Sequence, residues 1–256
     1  MVAGGALFGA ALVWGGELSK QLLGHLNAHG HAHLHVHGHP FADARSWLGV
    51  PNAADTLSSL AFALMALWGL RRQARHDGTL PSSTRAALGV LWLGLLLTAL
   101  GSGLYHWQPS PLRLVADRLG MAVVFTGVLA LASAGMWGPR AGWTMLALML
   151  PAAGGAAVLA WQGNVLPWMV VQGGGVLWLL LAACVQPQAG ALAVRWGWVV
   201  AGYAVAKVFE SGDAAVFAAT GQMVSGHTLK HLIAAAALWP VLAALTQRTR
   251  VAVAVA

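Results

Sequence analysis

"AALGVLWLGLLLTALGSGLYH", residues Ala86–His106, contains no Asp, Glu, Lys or Arg. As a helix rising 1.5 Å per residue it extends about 30 Å, the thickness of a bilayer's hydrocarbon core. Comparable apolar runs fall at Val2–Leu23, Ala53–Leu70, Asp117–Trp137, Gly142–Trp161, Leu166–Val185, Ala189–Phe209 and His227–Leu245. This recurrence predicts an all-α polytopic membrane protein with a seven-transmembrane-helix core. The first run, interrupted by Glu17 and Lys20, makes residues 1–24 an extra N-terminal hydrophobic segment, either an eighth helix or an export signal. Residues 25–40 then form a His-rich loop, 41–247 the seven-helix domain and 248–256 a tail.

Composition agrees. The 256 residues are 58% hydrophobic and only 8% charged, with a mean hydropathy of +0.69, which excludes a soluble domain. The net charge of +7 does not indicate a nucleic-acid partner, because the arginines sit in short breaks between apolar runs. If eight spans alternate, Arg71, Arg72, Arg75, Arg85, Arg140, Arg195, Arg248 and Arg250 share one side and only Arg45, Arg113 and Arg118 the other. The positive-inside rule makes the first side cytoplasmic and puts the His-rich loop outside. Trp47, Trp107, Trp137, Trp143, Trp161, Trp168 and Trp196 lie towards run ends, as an interfacial belt requires. Cys184 is the single cysteine, so disulfides and thiolate clusters are excluded and any metal must be held by His, Asp or Glu.

Ionisable residues at membrane spans are expensive and point to function. In "GSGLYHWQPSPLRLVADRLGM" (Gly101–Met121), Ser102 and His106 are four apart and share a helical face; Asp117 and Arg118 follow a Pro-containing turn, at the start of the next span. In "SGHTLKHL" (Ser225–Leu232), His227 and His231 are again four apart and can approach one ion from one helix. Taken singly, each pattern has a plainer reading. His227 can be a cap-region residue behind Ser225 and Gly226, and Ser102 can bond back to its own helix. The predicted topology puts all five groups at one depth near the outer side, which favours a joint site. Three neutral imidazoles leave the open coordination position of a catalytic zinc, Asp117 can move a proton, and Ser102 can donate to a developing oxyanion. Such a zinc requires the nitrogens to lie about 3–4 Å apart. Glu210 and Asp213 are explained by pairing with Lys207 or Lys230.

The row "NAHGHAHLHVHGHP" (Asn27–Pro40) carries a histidine at every second position from His29 to His39. Gly30, Gly38 and Pro40 make it a flexible loop, either a low-complexity tract or a loose metal collector, and not a rigid catalytic site.

Ser102, His106, Asp117, His227 and His231 form a pattern, SxxxH, Asp eleven residues on, then HxxxH in the last span. It resembles the superfamily of seven-helix membrane hydrolases that includes alkaline ceramidases, adiponectin-type receptors and hemolysin III proteins. The stretches "FADARSWLGVPNAADTLSSLAF", "YHWQPSPLRLVADRLGM" and "SGHTLKHLIAAA" are most similar to its bacterial alkaline-ceramidase-like branch. The match covers about Phe41 to Ala236 as separated motifs. It implies zinc on His106, His227 and His231, Asp117 and Ser102 beside it, and hydrolysis of the amide bond of a long-chain lipid such as ceramide. It also implies residence in a bacterial inner membrane, with the site near the extracytoplasmic side. Eukaryotic ceramidases of this type carry an acidic N-terminal calcium site. Here only Asp43, Asn52 and Asp55 surround the basic Arg45, which argues against calcium. Two other classes remain in view: a transporter or metal-handling protein using the His-rich loop, and a receptor-like member of the same superfamily. A transporter would place ionisable groups near the midplane and along both halves of a route.

Overall fold

The structure is a computed structural model. It describes the backbone of residues 2–28, 41–76 and 78–255 and the side chains of residues 4–21, 41–76 and 78–247. The His-rich row from His29 to His39 lies outside the described residues. The helices in order are α1 (Val2–Ala28), α2 (Ala53–Ser58), α3 (Leu60–Ala74), α4 (Ser82–Trp107), α5 (Pro111–Trp137), α6 (Pro139–Trp161), α7 (Leu166–Cys184), α8 (Trp196–Ser211), α9 (Asp213–Ala219), α10 (Gly226–Ala236) and α11 (Trp239–Val255). The chain is an all-α, polytopic integral membrane protein: α2 and α3 together, α4, α5, α6, α7, and α10 running into α11 are each long and apolar enough to cross a bilayer.

All eight expected runs are helical, with two differences at their ends. α5 begins at Pro111, so Asp117 and Arg118 sit in its second turn and not at its start. Pro111 suits a first helical position because its missing N–H is one the helix start leaves unbonded anyway, and Ser110 caps the turn by accepting from the Arg113 N–H at 3.3 Å. The run expected at Ala189–Phe209 does not become helical until Trp196, because Pro187 and Gly190 (φ 76°) hold the chain in a turn. The resulting sixteen residues of α8 rise about 24 Å, short of a full crossing. The tryptophans also divide. Trp47, Trp107, Trp137, Trp143 and Trp161 are exposed, whereas Trp168 and Trp196 are buried in the packing and belong to no belt.

α5 is the central column, and its closest partner is α4. Four glycines make that seam: a Cβ at Gly94 would lie 2.5 Å from the Val124 N, at Gly101 2.6 Å from the Ala116 O, at Gly120 2.5 Å from the Thr98 N and at Gly127 2.5 Å from the Leu91 N. In a bilayer, where apolar contact with lipid competes equally with contact between helices, such close backbone approach is the main source of helix association. Two buried hydroxyls along the seam bond back one turn, Thr98 to the Gly94 carbonyl at 2.8 Å and Thr126 to the Ala122 carbonyl at 2.9 Å, and so are satisfied within their own helices. α1 packs against α7 beside a small polar knot. The Asn164 amide donates to the Ala11 carbonyl at 3.0 Å, and the Ser19 hydroxyl accepts from the Val165 N–H at 3.0 Å. The arginines at the end of α3 (Arg71, Arg72) and near the starts of α4 (Arg85), α6 (Arg140) and α8 (Arg195) lie at one end of the bundle; Ser102, His106, Asp117, His227 and His231 lie towards the other.

Candidate metal centre

At that second end His106, on the last turn of α4, meets His227 and His231, on the first two turns of α10. The three are 1%, 1% and 2% exposed. One ligand atom from each lies within 4.8 Å of the others, and the Nε2 atoms of His106 and His227 are 2.8 Å apart, slightly closer than the 3–4 Å expected of two ligands on one zinc. The sequence-predicted neighbours converge on the same point. The Ser102 hydroxyl is 3.3 Å from His106 Nδ1 and 3.5 Å from His231 Nε2. Asp117 is buried and shares a cavity wall with Ser102 and His231. The α4–α5 seam explains this last pairing, since Gly101 packs on the backbone of Ala116 and Asp117.

The tautomers of two rings follow from their partners. His106 Nδ1 lies 2.6 Å from the Ser102 carbonyl oxygen, which can only accept, so Nδ1 carries the proton and Nε2 presents a lone pair. The Ser58 hydroxyl donates its one proton to the Asp55 carbonyl at 3.0 Å and therefore accepts from His231 Nδ1 at 2.8 Å, which again leaves Nε2 as the acceptor. Two buried imidazoles are thus fixed with basic nitrogens turned to the centre, with a third Nε2 beside them. Histidine ligands to a metal are held in this way, through a bond from the other ring nitrogen. The donor set fits a divalent cation, and the three histidines can hold one.

The start of α10 is clamped from several sides. The Ser225 hydroxyl accepts from the Thr228 N–H at 2.9 Å, and Asp213 Oδ1 accepts from the His227 N–H at 2.8 Å. Asp55, buried on α2, accepts from the hydroxyls of Ser225 at 3.0 Å and Thr228 at 2.6 Å, tying α2 to α10. Gly226 presses against α8, where any Cβ would collide with the Phe209 carbonyl oxygen. Asn52, in the left-handed region at φ 44° that Asn tolerates, gives its side-chain amide to the His106 carbonyl at 2.7 Å. Phe41 lies against the rings of His106 and His227, with centroids 5.0 and 5.7 Å away, and its neighbour Ala42 donates to Asp213 Oδ2 at 3.1 Å.

Glu210 pairs with Lys207 and Lys230, as the sequence suggested. Asp213 does not pair with a lysine: it binds backbone N–H groups of α10 and of the segment carrying Phe41. The three residues weighed for calcium are each engaged elsewhere. Asp43 takes both Arg45 Nε and Nη2 at 2.7 Å, a bond that holds its carboxyl below the usual range; Asn52 and Asp55 are bonded as described. Sequence reasoning missed Ser58, Asp213, Phe41 and Asn52 as parts of the site. Only Asn52 gave a local signal, as an Asn following Pro51 just ahead of a helix.

Beside the histidines a cavity of about 130 Å³ runs into the bundle. Its polar groups are Thr98, Ser102, Asp117, Tyr203, Glu210, Lys207, Lys230 and His231; the rest of its wall is apolar, reaching Val128 on α5 and Leu238 beyond α10. From Asp117 to Val128 the wall descends about 16 Å along α5. In comparisons with known proteins no family model, no curated protein and no solved structure matches this chain.

Proposed function

We propose that this protein is a zinc-dependent membrane amidohydrolase that cleaves the amide bond of a long-chain, ceramide-like lipid, as in the alkaline-ceramidase-like branch it resembles. The observation that carries this reading is the meeting, at one end of an apolar cavity, of three buried histidines, two of them tautomer-fixed, with a buried acid and a buried hydroxyl. His106, His227 and His231 would hold the zinc. When bound, it supplies Lewis acidity to a carbonyl oxygen and makes water acidic enough to attack near neutral pH.

The chain's own residues account for the rest. The apolar wall takes the acyl chain and leaves the amide at the histidine end. Ser102 donates to the carbonyl oxygen as negative charge gathers on it. Asp117 accepts the proton that water loses and returns it to the departing nitrogen, so that amide and water become carboxylic acid and amine. Phe41 shields the centre from bulk solvent at its mouth. The arginine distribution supports a site facing the extracytoplasmic side of a bacterial inner membrane.

A transport route is less well supported: the cavity's ionisable groups gather at its histidine end and its deeper wall is apolar. Metal analysis of the purified full chain, paired with fatty-acid release from an N-acyl sphingosine in mixed micelles, tests the proposal. One zinc per chain and release abolished in His227→Ala and in His231→Ala are expected. Release unchanged in either variant would overturn it.

A further inference from the structure

The cavity wall facing the histidines is charged. Glu210, in the last turn of α8, gives one carboxylate oxygen to Lys207 one turn earlier and the other to Lys230 on α10, at 2.6 Å. All three line the cavity. Lys230 directly precedes His231, so the cluster lies at the depth of the candidate metal centre and above the apolar wall. Two ammonium groups share one carboxylate, and Asp117 on the same cavity wall is the further anion that acts on Lys230. Each ammonium has three N–H donors and gives one to Glu210 among the described residues. A structural pair with Glu210 would need only one lysine, yet the half-exposed Lys207 and the partly buried Lys230 both bind it. Among the described residues Asp117 is the only other carboxylate lining the cavity.

We propose that Lys207 and Lys230 form a subsite for an anionic group on the amine side of the substrate. The lipid amide cleaved here would then be of the N-acyl amino acid class, with a carboxylate head. The proposal rests on the amidohydrolase reading. With the acyl chain in the apolar part and the carbonyl at the histidines, the amine portion is the part left at the depth of the lysines. A head carboxylate would stand beside Glu210, bringing two anions to two cations.

N-oleoylglycine and N-oleoylethanolamine differ at the head in a carboxylate against a hydroxyl. Equilibrium dialysis of each against the zinc-loaded, detergent-solubilised full chain should show the glycine conjugate bound about tenfold more tightly, as expected of a charge-assisted contact. Lys207, half-exposed on its helix, can be changed with little risk to folding. Lys207→Gln should bring the ratio towards unity and Lys207→Arg should keep it. The same two compounds serve as substrates. A ratio below about twofold, or a ratio unchanged in both Lys207→Gln and Lys230→Gln, overturns the subsite. Oleate competing as well as N-oleoylglycine, with the same dependence on Lys207, also overturns it by assigning the lysines to the product carboxylate. A binding preference without turnover of either compound refutes the hydrolase reading and leaves the subsite standing; equal binding with turnover of both does the reverse.

Discussion

Ser58→Ala separates ligand positioning from catalysis at this site. Ser58 touches neither the cavity nor the centre of the histidine cluster, yet its hydroxyl, 2.8 Å from His231 Nδ1, is what assigns the proton to that nitrogen. Without it the Nδ1–H loses its 2.8 Å acceptor in a buried setting and keeps only the Asp55 carbonyl, so the ring is held less firmly in orientation and tautomer. Loss of such an outer partner typically lowers metal affinity about 10–100-fold, or about 1.4–2.7 kcal/mol. The change also removes the Ser58 hydroxyl's bond to the Asp55 carbonyl, a neutral contact contributing about 1 kcal/mol. Ser102→Ala makes the contrasting variant. The His106 ring is anchored by the Ser102 backbone carbonyl at 2.6 Å, and not by its side chain, so zinc affinity should change less than about threefold while kcat for amide hydrolysis falls. Competition with a chromophoric chelator gives the zinc Kd of parent and variants. A Ser58→Ala Kd within about twofold of the parent would show that Ser58 does not set the His231 tautomer, and the argument for a pre-organised triad would fail with it.

Other consequences follow from packing. Gly120→Val places a side chain against the Thr98 backbone, where even a Cβ would be 2.5 Å from the nitrogen; a loss of about 1–3 kcal/mol or more is expected, read as a lower melting temperature in detergent. Asp213→Ala removes the acceptor for the His227 and Ala42 N–H groups. It should cost about 0.5–2 kcal/mol and weaken zinc binding, whereas Asp213→Asn, which keeps one acceptor but turns an NH2 towards the other N–H, should lose less than the alanine variant without matching the parent. Lys20→Ala breaks an exposed pair with Glu17 and should leave thermal stability within about 0.5 kcal/mol of the parent.

The helical type and the place of most spans were legible in the sequence because a bilayer imposes length and hydropathy on every span, but their number was not: seven core spans were expected, and among the described residues six units are long and apolar enough to cross. Their ends were also less legible. The first two turns of α5, "PLRLVADR", are too polar to register as an apolar run, yet they are helical because Pro111 and Ser110 start the helix there. The histidines could be found because i,i+4 spacing fixes a shared face and alternation of spans fixes depth. What could not be read is what holds them. Ser58 lies 173 positions from His231, and Asp55 lies 170 from Ser225. Such pairs exist only once α2 has docked on α10, and no local pattern marks a Ser as the partner of a distant ring. Trp168 and Trp196 misled for a related reason. A tryptophan near a run end satisfies the pattern of an interfacial belt whether it faces lipid or, like these two, a neighbouring helix.

The two ends of the bundle divide the physical work. Away from the histidines, α4 buries Leu88, Leu91 and Trp92 completely, and α3 and α5 close on them with apolar side chains. At the histidine end, buried Asp55, Ser58, Ser102, Asp117, His106, His227 and His231 all gather within a few turns, and their bonds run largely to one another and to backbone groups at helix ends. Helix ends have free N–H and C=O groups to give, so a polar cluster placed there is satisfied at less cost than the same cluster at mid-span, where every backbone group is already bonded within its helix. Asp213 on the α10 N–H and the His106 carbonyl receiving Asn52 use such groups. The tight α4–α5 seam lets the arrangement stay fixed, because glycine contacts through the length of both helices hold Ser102 and Asp117 in register whatever occupies the centre. A pre-formed set of ligands at the polar end of an apolar cavity is the arrangement the proposed lipid hydrolysis would need, since it would bring the polar linkage, and not the chain, to the histidines.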